Sequence, residues 1–223
     1  MEYRKIETLF ERREDFTVDE TKIKNPIYDI IKYWECTEKI HGQNQRIILN
    51  EDNTIEFKGR TDSAQLNGNL VSYLINTFAK EKMLSIVKPE DIENRNYKII
   101  LYGESYGSGI QSCGELYNKE KSFRLFDVLV DRFWLDWNDV VDVANKLKIK
   151  TVPYLGTMNL EKIVDLCKCG FKSFVAQEET GMDLIAEGIV GKPISTLFDK
   201  RLNRVILKLK HCDFIKKEKN KKE

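Results

Sequence analysis

The order of the periodic segments constrains this chain more than any other feature. Stretches with two-residue alternation outnumber helical ones, and the helices fall among them without the strand–helix–strand rhythm of a parallel sheet. Residues 45–58 predict a hairpin, with Arg46-Ile47-Ile48-Leu49 and Thr54-Ile55-Glu56-Phe57 flanking the turn-rich Asn50-Glu51-Asp52-Asn53. Further strands are expected at 97–102, 123–130, 184–190 and 204–210. Helices are expected at 68–85, 138–147 and 159–169. In the first helix Leu70, Leu74 and Phe78 share a face, and the last opens on an Asn159 cap and closes at Gly170. The pattern predicts an α+β fold of mainly antiparallel sheets.

The 223 residues suffice for one large domain or one and a half, and no Gly/Ser-rich linker or repeat marks an internal boundary. No segment reads as a signal peptide or a membrane span, so no membrane partner is expected. Five cysteines, an odd number, fit reduced thiols and a cytoplasmic setting, host cytoplasm if the source is viral. The formal net charge is +1, but it is unevenly spread. Residues 200–223 hold ten Lys or Arg against three Asp or Glu, leaving 27 basic against 33 acidic residues elsewhere. A basic strip of this kind suits contact with a polyanion, whereas the lysines of 216–222 taken alone read as a solvated tail.

Alternation in Val205-Ile206-Leu207-Lys208-Leu209-Lys210 puts Val205, Leu207 and Leu209 on one face and Ile206, Lys208 and Lys210 on the other. Side-by-side lysines repel unless an anion such as phosphate lies between them; from spacing alone, two solvated lysines are the simpler reading. Lys39-Ile40-His41-Gly42 sets a lysine three residues before a glycine, where backbone could approach a ligand. A lysine is a nucleophile only when unprotonated, a state that cations such as Lys208 and Lys210 would promote. Read in isolation, Lys39 is an ordinary surface lysine. Glu104 and Glu187 each neighbour a glycine in an apolar stretch and could hold a divalent metal that bridges nucleotide phosphates, or could simply answer nearby lysines.

Taken in order, Lys39-Ile40-His41-Gly42-Gln43-Asn44, Gly59-Arg60-Thr61, Tyr102-Gly103-Glu104, Phe126-Asp127-Val128, Glu187-Gly188-Ile189-Val190 and Lys208-Leu209-Lys210 resemble the motifs of covalent nucleotidyltransferases. The His-Gly after Lys39, Asn44, Gly109-Ile110-Gln111 and Val152-Pro153-Tyr154-Leu155-Gly156 are similar to the phage RNA ligase 2 family, which includes the RNA-editing ligases. The resemblance runs from about residue 34 to 210. It implies an α+β, ATP-grasp-like adenylyltransferase domain over 1–213, with mainly antiparallel sheets enclosing an ATP pocket. No OB-fold is expected, and a basic tail occupies 214–223.

The roles it implies are these. Lys39 attacks the α-phosphorus of ATP and carries AMP. Lys208 and Lys210 grip the α-phosphate, and Glu187 assists a Mg²⁺ or Mn²⁺ ion. Glu38 reads the adenine edge, Ile40 is a further residue of the ATP site, and Phe126 stacks on the adenine face; Phe123, the alternative stacker, falls on the opposite strand face. Asn44 and Arg60 contact the ribose and its surroundings. Glu104 holds a ribose hydroxyl or a metal-bound water, and so shares the metal assignment with Glu187. AMP then passes to an RNA 5′-phosphate, and a 3′-hydroxyl displaces it to seal a nicked duplex or broken RNA.

The chain departs from the family in ending thirteen residues after Lys210, where family ligases continue into a domain that grips nucleic acid. The expectation is that the basic strip substitutes in part, that a separate partner supplies the missing domain, or that the chain is a fragment. Only 38 residues precede Lys39, which disfavours an NAD-dependent ligase. A DNA-nick or mixed-substrate ligase is the alternative in the same chemistry, with a capping guanylyltransferase behind it. The alternative from another class is a non-catalytic RNA-end-binding module. The glycines from Gly103 to Gly109 lack the ending of a P-loop, Cys167-x-Cys169 lacks the usual zinc spacing, and Trp34, Trp134 and Trp137 read as packing residues.

Overall fold

Residues 1–216 are described by the computed structural model. In chain order they form β1 (Glu7–Thr8), β2 (Phe10–Arg12), β3 (Val18–Ile23), α1 (Ile27–Ile30), β4 (Trp34–Lys39), β5 (Gln43–Leu49), β6 (Ile55–Gly59), α2 (Gly68–Thr77), α3 (Lys80–Leu84) and β7 (Ile99–Gly107). There follow β8 (Lys121–Val130), β9 (Phe133–Trp134), α4 (Trp137–Lys146), β10 (Lys150–Thr151), β11 (Tyr154–Met158), α5 (Leu160–Cys169), α6 (Phe174–Thr180), β12 (Gly188–Pro193) and β13 (Leu207–Lys210). Two compact units result, one of Met1–Arg4 with His41–Val152, the other of Lys5–Ile40 with the chain from Pro153 onward. Of the basic tail expected at 214–223, residues 217–223 lie outside the described residues.

The first unit is built on a sheet of order β10-β8-β7-β5-β6, with β9 beside β8, and only the β10–β8 pairing is parallel. Alternation sends Ile47 and Leu49 of β5, Leu101 of β7 and Phe123 and Leu125 of β8 into a core with Leu70, Leu74 and Phe78, and with Val140 and Ala144 of α4. The register between β7 and β8 shifts after Tyr102, so Tyr102 faces Asp127 while Gly103 faces Leu125. This bulge reverses the parity of β8, and Val128 joins Phe123 and Leu125 in the core. Gly103 must be glycine, because a Cβ there would lie 2.0 Å from Cζ of the Phe123 ring.

The predicted hairpin at 45–58 is present, as β5 and β6. The single helix expected at 68–85 is not. Phe78 leaves helical geometry at φ −115° and ψ 52°, and a second short helix begins at Lys80. The reason is tertiary: the Phe78 ring is buried edge-on against Phe123, centroids 5.0 Å apart, which an unbroken helix does not have to satisfy.

The second unit is built on a sheet of order β1-β13-β12-β4-β11, parallel only at β1–β13, with a separate β2–β3 ribbon. Trp34 and Cys36 of β4, Ile189 of β12 and Leu207 and Leu209 of β13 bury one face against Ile163 and Cys167 of α5. The α5 helix has the predicted limits, with Asn159 accepting from Lys162 N and Gly170 at φ 77°. Two predicted strands start late. Ile185 makes only an isolated bridge to Lys172, so β12 begins at Gly188, and β13 begins at Leu207. Mixed α and β elements with mostly antiparallel sheets are thus the architecture that the alternation predicts.

Candidate active site

In the second unit, the strand register assembles the lysines. Gly188 pairs with Lys39 on one side and with Lys210 on the other, so the three stand in one row across β4, β12 and β13. The two lysines are separated by two inter-strand spacings, roughly 10 Å between backbones. Because Leu207 and Leu209 enter the core, Lys208 and Lys210 project from the other face, as the alternation predicts.

Glu187, immediately before the central glycine, fills the gap between the lysines. Lys39 Nζ donates to its Oε2 at 2.8 Å, and Lys210 Nζ lies 2.5 Å from its Oε1. A side chain at Gly188 would place Cβ 2.0 Å from the Leu209 carbonyl oxygen, so the close passage of β13 requires glycine here. Burial alone would raise the Glu187 pKa. The charge of Lys39, the hydrogen bonds from Lys210 and Lys39 and the charge of Lys210 outweigh it and hold the carboxyl below its ordinary range. For Lys210 burial acts downward, but its hydrogen bond to Glu187 and the charge of Glu187 raise it overall.

Lys208 differs. It forms no ion pair among the described residues, and burial, followed by the charges of Lys39, Lys210 and Lys5, lowers its amine from 10.5 to about 8. An ammonium in this state is stabilised by any anion that comes beside it. Lys39, Glu187, Lys208 and Lys210 are therefore brought together in one unit.

Glu38 points to the opposite face of β4, the face that carries Trp34 and Cys36 into the core, and is 1% exposed. Its carboxylate accepts from the Ser173 hydroxyl and from the backbone N–H of Phe174 and Val175, at 2.9 and 3.4 Å for the latter two. Ser173 in turn caps α6 by accepting from Ala176 N. A carboxylate at a helix N-terminus with three donors is a stabilising arrangement in its own right. Sequence reading missed this partnership, although a serine at the start of a helix was the available signal. Ile40 is buried, and its carbonyl accepts from Lys39 Nζ at 3.4 Å.

The remaining candidates lie in the first unit. Asn44 pairs with Glu104 across β5 and β7, and Glu104 with Arg124 across β7 and β8. Asn44 Oδ1 is buried without a hydrogen-bond partner among the described residues, an acceptor in want of a donor. Gly42 packs against this row, since a Cβ there would fall 2.3 Å from the Ser105 carbonyl oxygen and 2.8 Å from Cγ of Glu104. Arg60 is exposed. Phe126, at the β8 bulge, meets the Tyr3 ring edge-on with centroids 5.2 Å apart, and the Tyr3 hydroxyl donates to Asp127 at 2.6 Å. Phe123, the alternative stacker, is committed to the core. Tyr3 was not among the predicted residues, and nothing local to its sequence marks it.

Three lysines around one carboxylate on one sheet face form a site suited to phosphate. Among the described residues, no three His, Cys, Asp or Glu side chains cluster closely enough to hold a metal by themselves.

The family described as RNA ligase matches residues 32–210, and the chain belongs to that family. Its fold is similar to that of Naegleria gruberi RNA ligase. The structure of that ligase with PPi gives a TM-score of 0.61 at 19% identity, over 94% of this chain and 56% of that one. A mutant with AMP and Mn gives 0.63 at 19% identity, over 93% and 55%. A mutant with ATP and Mn gives 0.59 at 20% identity, over 94% and 61%. The chain thus spans somewhat over half the length of the ligase chains it matches.

Proposed function

We propose that this protein is an ATP-dependent RNA ligase of the phage RNA ligase 2 and RNA-editing type, joining RNA 3′-hydroxyl and 5′-phosphate ends through AMP carried on Lys39. The observation that carries the reading is the Glu187 carboxylate held between Lys39 and Lys210, with Lys208 beside them and in no ion pair among the described residues.

In this reading, an incoming α-phosphate takes the charge of Lys208 and Lys210. The Lys39 amine, oriented by Glu187, attacks the α-phosphorus in line. Lys39 first loses its ammonium proton to water. The neutral amine then forms a nitrogen–phosphorus bond as the bond to the β-phosphate breaks and pyrophosphate leaves, and the remaining extra proton on nitrogen also passes to water. Glu187, with its carboxyl pKa held low, is a poor proton store, so its part is to orient the amine and to offer oxygen to a metal. Mg²⁺ or Mn²⁺, when bound, supplies charge neutralisation at the phosphates, with Glu187 and Glu104 as the proposed protein ligands. Asn44, with its unpartnered oxygen, Arg60 and Glu104 are proposed to bind the ribose region, and Phe126 to stack on adenine. Ile40 and Glu38 are proposed to lie against the base. The Glu38 carboxylate is engaged at α6 and its backbone N–H donates to the Pro153 carbonyl at 2.9 Å, so its part at the base is one of packing.

In the next steps AMP passes from Lys39 to the RNA 5′-phosphate, and the 3′-hydroxyl displaces it. Positioning and charge neutralisation supply most of such catalysis. Free thiols at all five cysteines suit a reducing cytoplasm, and no helix among the described residues is long and apolar enough to cross a membrane. The test is incubation with α-labelled ATP and Mg²⁺, comparing wild type with Lys39→Ala on a denaturing gel. Label should remain on wild type and be lost from the variant. A wild type that takes no label would overturn the ligase reading.

A further inference from the structure

The lysine face holds one further polar group with no assigned task. Thr8 lies on β1, the edge strand that runs parallel to β13, and the register sets it directly opposite Lys208. Paired residues on neighbouring strands project from the same face. Leu9, the next residue, is fully buried with Leu207 and Leu209 in the core, so alternation turns Thr8 toward the lysines. Thr8 is 7% exposed, and its Oγ1 is buried with no hydrogen-bond partner among the described residues. A buried, unpaired hydroxyl carries a desolvation cost that a valine of the same shape would avoid.

We propose that Thr8 is a phosphate-contact residue, whose hydroxyl donates to a non-bridging phosphate oxygen neutralised by Lys208. Two observations converge on it: the orphaned donor, and beside it a lysine with no ion pair among the described residues. The surrounding field comes from Lys5, Lys39 and Lys210 against the carboxylates of Glu187 and Glu7. Phosphate is the anion that fits, because its several oxygens can accept from a hydroxyl and an ammonium at once. Rotation about χ1 carries the hydroxyl oxygen into the place now held by the methyl group or the β-hydrogen, so the donor can be turned without moving the strand. The inference rests on the ligase reading for the source of the phosphate, which is either ATP or the 5′ end of RNA.

The test compares Thr8→Val and Thr8→Ser with wild type by calorimetry in EDTA, where no covalent step is expected. The ligands are ATP and a short RNA with either a 5′-phosphate or a 5′-hydroxyl. A hydrogen bond to a charged group supports an expectation of about tenfold weaker binding in Thr8→Val, with Thr8→Ser close to wild type. Loss confined to ATP identifies the nucleotide phosphate. Loss confined to the 5′-phosphorylated RNA identifies the RNA end. In both cases the melting temperature of Thr8→Val should be no lower than that of wild type, since the hydroxyl has no partner among the described residues. Unchanged binding of both ligands, or weaker binding accompanied by a drop in melting temperature, overturns the assignment. A wild type that binds ATP but takes no label from it defeats the ligase reading while leaving Thr8 testable. A wild type that binds neither ligand overturns both.

Discussion

Lys39 and Glu187, 148 residues apart in sequence, share a hydrogen-bonded ion pair of 2.8 Å on one face of a single sheet. The pair is partly shielded, with side-chain exposures of 20% and 12%, and Lys210 closes it from the other side. Glu187 therefore balances two cations, and its removal leaves them facing each other. Replacing it by glutamine should lower the rate of label transfer from α-labelled ATP by about a hundredfold, the scale of a lost preorganised electrostatic contact.

The same carboxylate gives stability a pH signature. Its folded pKa lies below the ordinary value of 4.5, so its contribution is fully present above that value and is lost as pH falls through the lower, folded one. Wild type should thus be more stable than Glu187→Gln at neutral pH, and the gap should close on acidification below about pH 4.5. Melting curves of both proteins over a pH series check this, and a gap of constant size would contradict it.

Gly188 tests the backbone side of the same arrangement. A methyl there meets the Leu209 carbonyl oxygen at 2.0 Å and the Lys210 Cα at 2.7 Å, neither of which can move without displacing β13. Gly188→Ala should cost about 2–4 kcal/mol in urea unfolding, the range of overpacking against fixed atoms. A loss below about 0.5 kcal/mol would show that the strand yields easily.

How much of this was legible in the sequence depends on how local the determinant is. The two faces of β13 follow from residues 205–210 alone, and α5 carries its own cap and stop in Asn159 and Gly170. Phe78 misled because its spacing from Leu70 and Leu74 continues a helix, while its actual conformation answers to Phe123, 45 residues away. The β8 bulge is equally silent in sequence. Strict alternation would separate Phe126 from Asp127, yet both engage Tyr3. The Lys39–Glu187–Lys210 grouping was reachable only through the order of the motifs, since no spacing rule joins residues on β4 and β13 with one just ahead of β12. The engagement of Glu38 with α6 had no such guide, and the carboxylate assigned to a base is spent on a helix terminus.

Ser173 and Glu38 form a structural joint that should be separable from catalysis. Ser173→Ala removes both a helix cap and a donor to a buried carboxylate, and should cost about 1–3 kcal/mol in thermal or urea unfolding. At a temperature where the variant remains folded, label transfer should fall less than tenfold. A larger fall with intact stability would show that the Glu38 side chain takes part in nucleotide binding directly.

Lys208 offers the sharpest pH test. Its amine sits at about 8 in the folded protein against 10.5 for an ordinary lysine. Below about pH 8 both folded and unfolded states hold the proton, and the cost of the crowded charge is constant. Between there and 10.5 only the unfolded state holds it, so stability should rise with pH across that window, and Lys208→Met should lack the rise. With solvent screening, the effect is on the order of 1 kcal/mol. A bound phosphate reverses the balance by favouring the charged amine, so ATP binding above about pH 8 must draw in a proton. Affinity measured calorimetrically in EDTA should then fall with pH, approaching about tenfold per unit for one linked proton. Buffers of differing ionisation heat should report the uptake directly. Lys208→Arg, which does not titrate in this range, should bind with no such dependence. Proton uptake of the same size in Lys208→Arg would assign the linkage to another group and remove Lys208 from the phosphate site.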